Sequence, residues 1–465
     1  MNYHASRKHL AFQLLPIFFL AIAIFVGALN ISTIREFLTS AFGQDANIQI
    51  NTQVSFGPMQ YPWRNLAQGG ESKDWRIQPI SAQVRALSPN YIRLDHLYDF
   101  YDVVSRDGGT LRFDFTKLTQ IITDIRATGA TPYLSLSYIP PAIATNGDIT
   151  APPQNWNEWQ VTVERTIEHV SGTLGIPDVY YEVWNEPDLF GGYKVYGEKN
   201  YLTMYEYAAR GAQNAQVRQP YKIGGPASTA LYKNWIDAIV KLSIDKQLPL
   251  DFVSWHRYDR DIEVFRKDIS QVKSWLSAYP ERPNLEVHIT EWGHDSRNDA
   301  GYDGSFGAIH TIAVSTEMIG TIDKAFVFEI QDGKDPAGNV RWGRWGIIDS
   351  SGQAKPRYNA LRFLNRLEGD RVQLLGKGTW VKGAASKSGN DVVVLLANYD
   401  QNGKHTEVTP VTFNDITPGT FQIDQQYFNG TTSQRTIATD SSKLQIQVPM
   451  PVNSAVFLRL RPVQQ

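Results

Sequence analysis

The chain contains no cysteine, so disulfide bonds, thiolate metal sites and cysteine nucleophiles are excluded. It has almost no excess of charge, because 45 basic and 47 acidic residues leave a formal net charge of -2. Long runs of one sign are also absent, so the sequence lacks the electrostatic footprint of a nucleic-acid-binding protein. We therefore expect no nucleic-acid partner, and a neutral polymer suits this composition better.

What the chain does have is length and apolar content. Its 465 residues, 42% of them hydrophobic, predict two globular domains with sizeable cores. Aromatic residues make up 12%; such rings stack on sugar faces or fill a core, and composition alone leaves both uses open. The nine histidines form no His-Glu-x-x-His motif, so we expect neither a zinc hydrolase nor another metal site.

The amino-terminal segment is strongly apolar. Arg7 and Lys8 precede a stretch over residues 10–31 that is long enough to span a bilayer. We predict that residues 1–33 are a signal-anchor or a signal peptide, with Val26-Gly27-Ala28 as the cleavage site in the second case and a buried soluble helix as a third interpretation. The positive-inside rule places the rest outside the cytoplasm, membrane-anchored through this helix or secreted.

Beyond a connecting segment at 34–49, β-like runs alternate with helix-like segments, which is the spacing of βα units. Eight such units over residues 50–368 predict a (β/α)8 TIM barrel of the α/β class. The predicted strands are residues 52–56, 91–94, 131–137, 179–184, 222–225, 251–255, 286–290 and 324–328. Residues 369–465 show short β-like runs separated by turn residues, which predict an antiparallel β-sandwich.

Two glutamates end predicted barrel strands. Glu186 lies in Val-Trp-Asn-Glu-Pro (183–187), and Glu291 lies in Ile-Thr-Glu-Trp-Gly (289–293). Because proline disfavours the α region for the residue before it, we expect Glu186 to be extended. Hydrolysis of a glycosidic bond usually needs one carboxylic acid and one carboxylate on opposite sides of the anomeric carbon. The ends of predicted strands four and seven supply such a pair.

Other segments complete an ordered series of motifs. They are Tyr-Ile-Pro-Pro-Ala (138–142), Gly-Gly-Pro-Ala (224–227), Asp-Phe-Val-Ser-Trp-His-Arg-Tyr (251–258) and Lys-Pro-Arg-Tyr-Asn-Ala (355–360). With the two glutamate motifs, they make most of residues 50–367 resemble a clan A glycoside hydrolase, and most closely glycoside hydrolase family 39.

The resemblance implies that Glu186 is the acid/base and Glu291 the nucleophile of a retaining mechanism that needs no cofactor. Asn185 would then hydrogen-bond the sugar 2-hydroxyl, and His256 and Tyr258 would contact the sugar and orient the nucleophile.

Neighbouring residues have open interpretations. Trp292 either stacks on substrate or plugs the barrel mouth, while Glu182 is expected to form a buried ion pair or hydrogen bonds.

The chain departs from the family pattern in two places. The segment Arg93-Leu94-Asp95-His96 has its histidine three residues after the arginine rather than two, so the sugar contact from this strand is Asp95 or His96, and Arg93 is also expected to bind the substrate. Predicted strand eight lacks the usual tryptophan, and Trp342 or Trp345 would supply that platform. Both changes concern the sugar subsite and not the paired glutamates.

We therefore expect a retaining glycoside hydrolase that acts on an extracellular poly- or oligosaccharide. A xylosidase-type exo-glycosidase is one alternative, and a catalytically inactive carbohydrate-binding protein is another. In the carboxy-terminal domain, Trp380, Tyr399 and Tyr427 are candidate sugar contacts, although a packing role is favoured for this domain.

Overall fold

The computed structural model describes residues 43–463. The predicted signal-anchor or signal peptide at 1–33, and the connecting segment up to residue 42, lie outside the described residues. Within 43–463, no helix combines the length and the apolar character that a membrane crossing requires.

Eight parallel strands close into a barrel in the first part of the chain. The strands up to residue 328 are β1 (Ile48–Pro58), β2 (Asn65–Gln68), β3 (Tyr91–Leu94), β4 (Val104–Asp107), β5 (Thr110–Phe113), β6 (Thr131–Leu136), β7 (Val179–Val183), β8 (Tyr221–Ser228), β9 (Phe252–Tyr258), β10 (Glu286–Gly293) and β11 (Lys324–Phe328). The barrel consists of β2, β3 and β6 to β11, whereas β4 and β5 form a separate hairpin. The prediction of a TIM barrel is confirmed.

Helices alternate with the barrel strands. They are α1 (Ser81–Arg85), α2 (Thr116–Ala127), α3 (Trp156–Ile167), α4 (Tyr201–Asn214), α5 (Lys233–Asp245), α6 (Ile262–Leu276), α7 (Ser305–Met318) and α8 (Pro356–Leu364). The side chains of Asn155, Asn200 and Asp261 accept hydrogen bonds from backbone N–H groups at the starts of α3, α4 and α6, which satisfies donors that a helix leaves free.

The lumen of the barrel is filled by aromatic rings. Tyr133 and Tyr180 stack with ring centroids 5.3 Å apart, and Phe252 and Phe326 pack against Tyr133. Because these side chains occupy the interior, the barrel is a packed core and not a pore, and its open face lies at the carboxyl ends of the strands.

The prediction for the first barrel strand is wrong. Residues 52–56 belong to β1, which pairs with strands of the carboxy-terminal domain, and the first barrel strand is Asn65–Gln68. That strand is fully buried although it begins and ends with amides. Asn65 donates to the carbonyl of Pro62, and Gln68 donates to Glu329, so both polar side chains have partners inside the barrel.

The carboxy-terminal domain is one nine-stranded sheet folded around its own core. Its later strands are β12 (Asp370–Leu375), β13 (Val381–Ser388), β14 (Asp391–Asn398), β15 (Glu407–Asn414), β16 (Gly419–Tyr427), β17 (Thr432–Thr439), β18 (Lys443–Met450) and β19 (Ser454–Pro462). Strand β1 lies between β12 and β15 and pairs in parallel with β15. The pairings among β12 to β19 are all antiparallel, as predicted for residues 369–465, whereas the predicted barrel start at residue 50 is wrong because β1 belongs to this second sheet.

The two domains pack closely through α7. This helix is buried on nearly every face because it lies between the barrel and the strands β13, β14 and β19. Tyr399 is buried at the same interface, where its hydroxyl donates to the carbonyl of Arg260 at 2.8 Å. Its role in the structure is packing, as favoured from the sequence.

Candidate active site

Glu186 lies in a tight turn just beyond β7. Trp184 and Glu186 have φ values of 75° and 46°, so the expectation of an extended Glu186 is wrong. The turn is held by hydrogen bonds from Glu186 N to the carbonyl of Ala227 at 2.9 Å and from Trp184 Nε1 to the carbonyl of Phe190 at 3.0 Å. These bonds stabilise a left-handed backbone that non-glycine residues rarely adopt, and they fix the carboxylate at the barrel mouth.

Glu291 lies within β10, almost fully buried at 6% exposure. Its two carboxylate oxygens have different partners. Arg93 Nη1 donates to Oε1 at 2.9 Å, and the Tyr258 hydroxyl donates to Oε2 at 2.8 Å. A carboxylate bonded on both oxygens in this way has one fixed orientation.

His256 lies between the two glutamates. Its Nδ1 is 2.9 Å from Oε1 of Glu186 and 3.5 Å from Oε2 of Glu291. One donor or acceptor atom from each of these three side chains lies within 4.8 Å of the others. The structure therefore brings together the predicted acid/base, the predicted nucleophile and the predicted histidine.

The charges of these groups are strongly coupled. Burial raises the pKa of Glu291 above its ordinary value, and the cations of His256 and Arg93 oppose that shift. Burial acts to lower the pKa of His256, but Glu291 and Glu186 outweigh it and raise that pKa. The cluster therefore tends to retain protons, and Arg93 limits the rise at Glu291 because its cation favours the charged form of that carboxylate.

Arg93 connects Glu291 to two further side chains, Glu182 and Asn185. Arg93 is fully buried; besides Glu291, it donates to Glu182 Oε2 and to Asn185 Oδ1, both at 2.7 Å. The buried ion pair predicted for Glu182 is confirmed. Arg93 does not line the cleft, so its predicted contact with the sugar is wrong, and it acts by positioning Glu291 and Asn185.

The open face of the barrel holds a cleft of about 570 Å³. It is lined by Gly69, Gly70, Glu71, Asp95, His96, Tyr138, Asn185, Glu186, Leu189, Phe190, Thr229, Arg257, Tyr258, Glu291, Ser296, Phe328, Arg344 and Trp345. Among the described residues, Asp95 Oδ1 is buried without a hydrogen-bond partner, and burial raises the pKa of this carboxyl. His96 is held by Asp99 at 2.7 Å. Both candidate sugar contacts thus lie at the cleft.

The three candidate tryptophans differ in their access to the cleft. Trp292 is fully buried and packs against Phe265 and His310, so it plugs the barrel wall and cannot stack on substrate. Trp345 lines the cleft, with Arg344 3.6 Å from its ring centroid. Trp342 donates to the carbonyl of Gly333 and is not among the lining residues. Of these two tryptophans, Trp345 is the one that lies where the predicted sugar platform is needed.

Sequence reasoning missed two groups at the site. Tyr138 lines the cleft and accepts a hydrogen bond from Asn185 Nδ2 at 3.1 Å; its place in a family-like segment was the available signal. Glu329 follows the cleft residue Phe328 and is fully buried, and burial raises its pKa well above the ordinary value. Nothing in the sequence distinguishes this glutamate from a solvated one.

The cluster of Glu186, His256 and Glu291 is also compact enough to hold a metal ion. However, the guanidinium of Arg93 lies 2.9 Å from Glu291, and a second cation beside it would be repelled. The electrostatics favour acid–base chemistry over metal binding.

A closed parallel barrel with two carboxyl groups facing each other at its open face defines the molecule as a TIM-barrel glycoside hydrolase. Residues 46–413 match the family described as Glycosyl hydrolases family 39, and the chain belongs to that family.

Similar proteins agree with this assignment. The chain is 27% identical over 363 residues to a beta-xylosidase of Caldicellulosiruptor saccharolyticus, covering 70% of this chain and 72% of that protein. It is 24% identical over 367 residues to a beta-xylosidase of Geobacillus stearothermophilus, covering 71% and 72%. The fold is similar to the crystal structure of a monomeric beta-xylosidase from Caulobacter crescentus CB15, with a TM-score of 0.74 at 18% identity over 90% of this chain and all (100%) of that one.

Proposed function

We propose that the protein hydrolyses glycosidic bonds with retention of configuration, by double displacement. The observation that carries this proposal is the approach of Glu186 and Glu291, whose carboxylate oxygens come within 4.8 Å of each other. Retaining enzymes separate the two carboxyl groups by roughly 5–5.5 Å, whereas inverting enzymes need roughly 6.5–9.5 Å to admit a water molecule. The short gap favours direct attack by one carboxylate.

The surroundings of the two residues support different roles. Glu291 is bonded on both oxygens and beside a permanent cation, so it suits a charged nucleophile. Glu186 is the more exposed of the two, with 15% of its side chain accessible against 8% for Glu291. It suits the residue that exchanges protons with the leaving group and with water.

In the first step, Glu291 attacks the anomeric carbon, the glycosidic C–O bond breaks, and Glu186 gives its proton to the leaving oxygen. In the second step, Glu186 removes a proton from water, which attacks the same carbon and releases Glu291. His256, 2.9 Å from Glu186, stabilises the charged form of Glu186 that exists between the two steps.

For the substrate we propose an extracellular poly- or oligosaccharide. The names of the two relatives favour a beta-xylosidase activity as the specific candidate. A carbohydrate-binding protein without turnover is less well supported, because both glutamates and their hydrogen-bond partners are in place. An extracytoplasmic location, membrane-anchored or secreted, remains our proposal on the basis of the apolar stretch at 10–31.

The test is hydrolysis of a panel of aryl glycosides and extracellular polysaccharides by the wild type, Glu186→Gln and Glu291→Gln. We expect both variants to lose nearly all turnover, and we expect NMR of the first product to show the anomer of the substrate. The opposite anomer would exclude double displacement. Binding without turnover by the wild type on every substrate would favour the lectin-like alternative.

A further inference from the structure

Two apolar side chains lie unusually open beside the acid/base. In residues 43–463, ten large hydrophobic side chains are exposed, among them Leu189 at 60% and Phe190 at 40%. Both line the catalytic cleft, and they follow Glu186 by three and four residues. Exposed apolar surface that continues a binding cleft marks a contact with a ligand.

These side chains are held in place by the turn that carries Glu186. The backbone N–H groups of Leu189 and Phe190 both donate to the carbonyl of Glu186, at 3.0 and 2.7 Å. From the neighbouring loop, Thr229 N donates to Asp188 Oδ1 at 3.0 Å. The exposure is therefore a feature of a fixed surface.

The position of this surface decides which half of the substrate it meets. The leaving oxygen must lie against Glu186 to receive a proton. Leu189 and Phe190 are on the same turn as Glu186, whereas the candidate contacts for the cleaved sugar, Asp95 and His96, follow β3. We therefore expect a leaving group that takes its proton from Glu186 to lie beside Leu189 and Phe190.

The chemistry of the surface is apolar. Neither side chain can form a hydrogen bond, and the nearby hydroxyl of Thr229 already donates to Asp188. Tyr232, 38% exposed, extends the surface, with its hydroxyl 3.3 Å from that of Thr229. Such a surface can contact the C–H face of a pyranose ring but offers little that distinguishes the orientation of its hydroxyl groups.

We propose that Leu189 and Phe190 bind the first sugar of the leaving group through its apolar face, with little selectivity for its hydroxyl configuration. This inference rests on the proposed hydrolase function and adds the recognition of the leaving group to it.

The test compares a substrate that has a leaving sugar with one that has none. We would measure kcat/KM of Leu189→Ser and Phe190→Ser on xylobiose and on β-xylosyl fluoride, or on the corresponding disaccharide and fluoride if the substrate panel identifies another sugar. Loss of one partly buried apolar contact should lower kcat/KM on the disaccharide about tenfold. Both variants should hydrolyse the fluoride within about twofold of the wild-type rate, because the fluoride has no leaving sugar to contact Leu189 or Phe190.

The matched control is Tyr196→Ser, since Tyr196 is 64% exposed in the same loop but does not line the cleft. We expect it to leave both substrates unchanged. The inference would be overturned if Leu189→Ser and Phe190→Ser both kept the wild-type kcat/KM on the disaccharide. It would also be overturned if kcat/KM fell equally on the disaccharide and the fluoride. Failure of the wild type on every fluoride and every member of the substrate panel would instead contradict the proposed function itself.

Selectivity is tested by transfer from the fluoride to two acceptors that differ at one hydroxyl, D-xylose and L-arabinopyranose. Because acceptors occupy the leaving-group site, we expect their transfer rates to agree within about fivefold, which is roughly 1 kcal/mol. A larger preference for either acceptor would contradict the proposed lack of selectivity for hydroxyl configuration at Leu189 and Phe190.

Discussion

The hydroxyl of Tyr258 donates a 2.8 Å hydrogen bond to Oε2 of Glu291. The two residues lie on adjacent strands, β9 and β10, which pair in parallel along this stretch. Burial raises the pKa of the Tyr258 hydroxyl well above its ordinary value, and the neighbouring Glu291 acts in the same direction. The phenol therefore stays protonated around neutral pH and keeps its hydrogen bond to the nucleophile.

Replacement of Tyr258 by Phe removes this hydrogen bond and keeps the ring. A hydrogen bond to a charged group contributes about 1.5–3 kcal/mol, so we expect kcat/KM to fall roughly ten- to a hundredfold. Steady-state kinetics on an aryl glycoside would measure the change, and thermal unfolding would verify that the fold is retained. A variant with wild-type kcat/KM would show that this bond does not support catalysis.

Arg93→Met leaves Glu182 and Glu291 buried without their shared cation. Removal of one partner from a buried charge pair costs about 3–5 kcal/mol of unfolding free energy. The pKa of Glu291, already raised by burial, should rise further, so the acidic limb of the kcat/KM profile should move to higher pH. Arg165→Met, which removes an exposed ion pair with Glu168, is the control. An unshifted acidic limb would contradict the role assigned to Arg93.

Stability should decline as the pH falls from 6.5 toward 4, in part because of His294. Burial lowers the pKa of His294 to about 4, while an unfolded histidine titrates near 6.5. Between these values the unfolded state binds a proton that the folded state does not. The contribution of His294 is therefore complete above pH 6.5, and its loss should cost about 3 kcal/mol by pH 4.

The pH dependence of the wild type reflects all of its titratable groups, so the effect of His294 requires a difference measurement. Denaturant unfolding of the wild type and of His294→Gln at several pH values between 4 and 7.5 provides it. We expect the variant to show the weaker pH dependence. Parallel curves would mean that folding does not lower the pKa of His294.

Trp292→Phe should affect stability and leave substrate binding intact. The ring is fully buried against Phe265 and His310, and loss of buried volume from a core costs about 1–3 kcal/mol for a change of this size. KM on an aryl glycoside should remain within about twofold of the wild type. A selective increase in KM at unchanged stability would restore the substrate-stacking interpretation.

Removal of residues 1–58 should unfold the carboxy-terminal domain, whereas removal of residues 1–42 should not. The longer deletion takes away β1 and leaves β12 and β15 without the strand that joins them. Unpaired strand edges expose backbone groups and apolar side chains, which favours aggregation. Circular dichroism and size-exclusion chromatography of both fragments would test this, and a monomeric, cooperatively folded longer deletion would contradict it.

Seven of the eight barrel strands could be placed from the sequence because their buried runs are rich in β-branched and aromatic residues. The prediction of the first barrel strand failed because that strand lacks such a run. The true first barrel strand, Asn65–Gln68, is short and has amides at both ends, while residues 52–56 do form a strand, but in the other sheet and mostly exposed. A local pattern reports strand propensity and does not report which sheet the strand joins.

The candidate site shows a similar division. Glu186 and Glu291 were evident from their place at the ends of predicted strands, but the sequence has no means of showing that Arg93 is fully buried or that Trp292 packs into the core. The left-handed backbone of Glu186 also reverses a local expectation about residues before proline. It depends on long-range hydrogen bonds, such as the one to Ala227, which no short segment encodes.

The position of β1 also sets an order of events during synthesis. Asn51 and its partner Gln373 are 322 residues apart, so β1 leaves the ribosome long before the strands beside it exist. The neighbouring strands of the barrel are mostly consecutive in the chain. The barrel can therefore form while β1 is still unpaired. When the second domain is complete, β1 pairs with β12 and β15 and so joins the first part of the chain to the last. A protein whose translation stops early would have a folded barrel preceded by an unpaired β-strand.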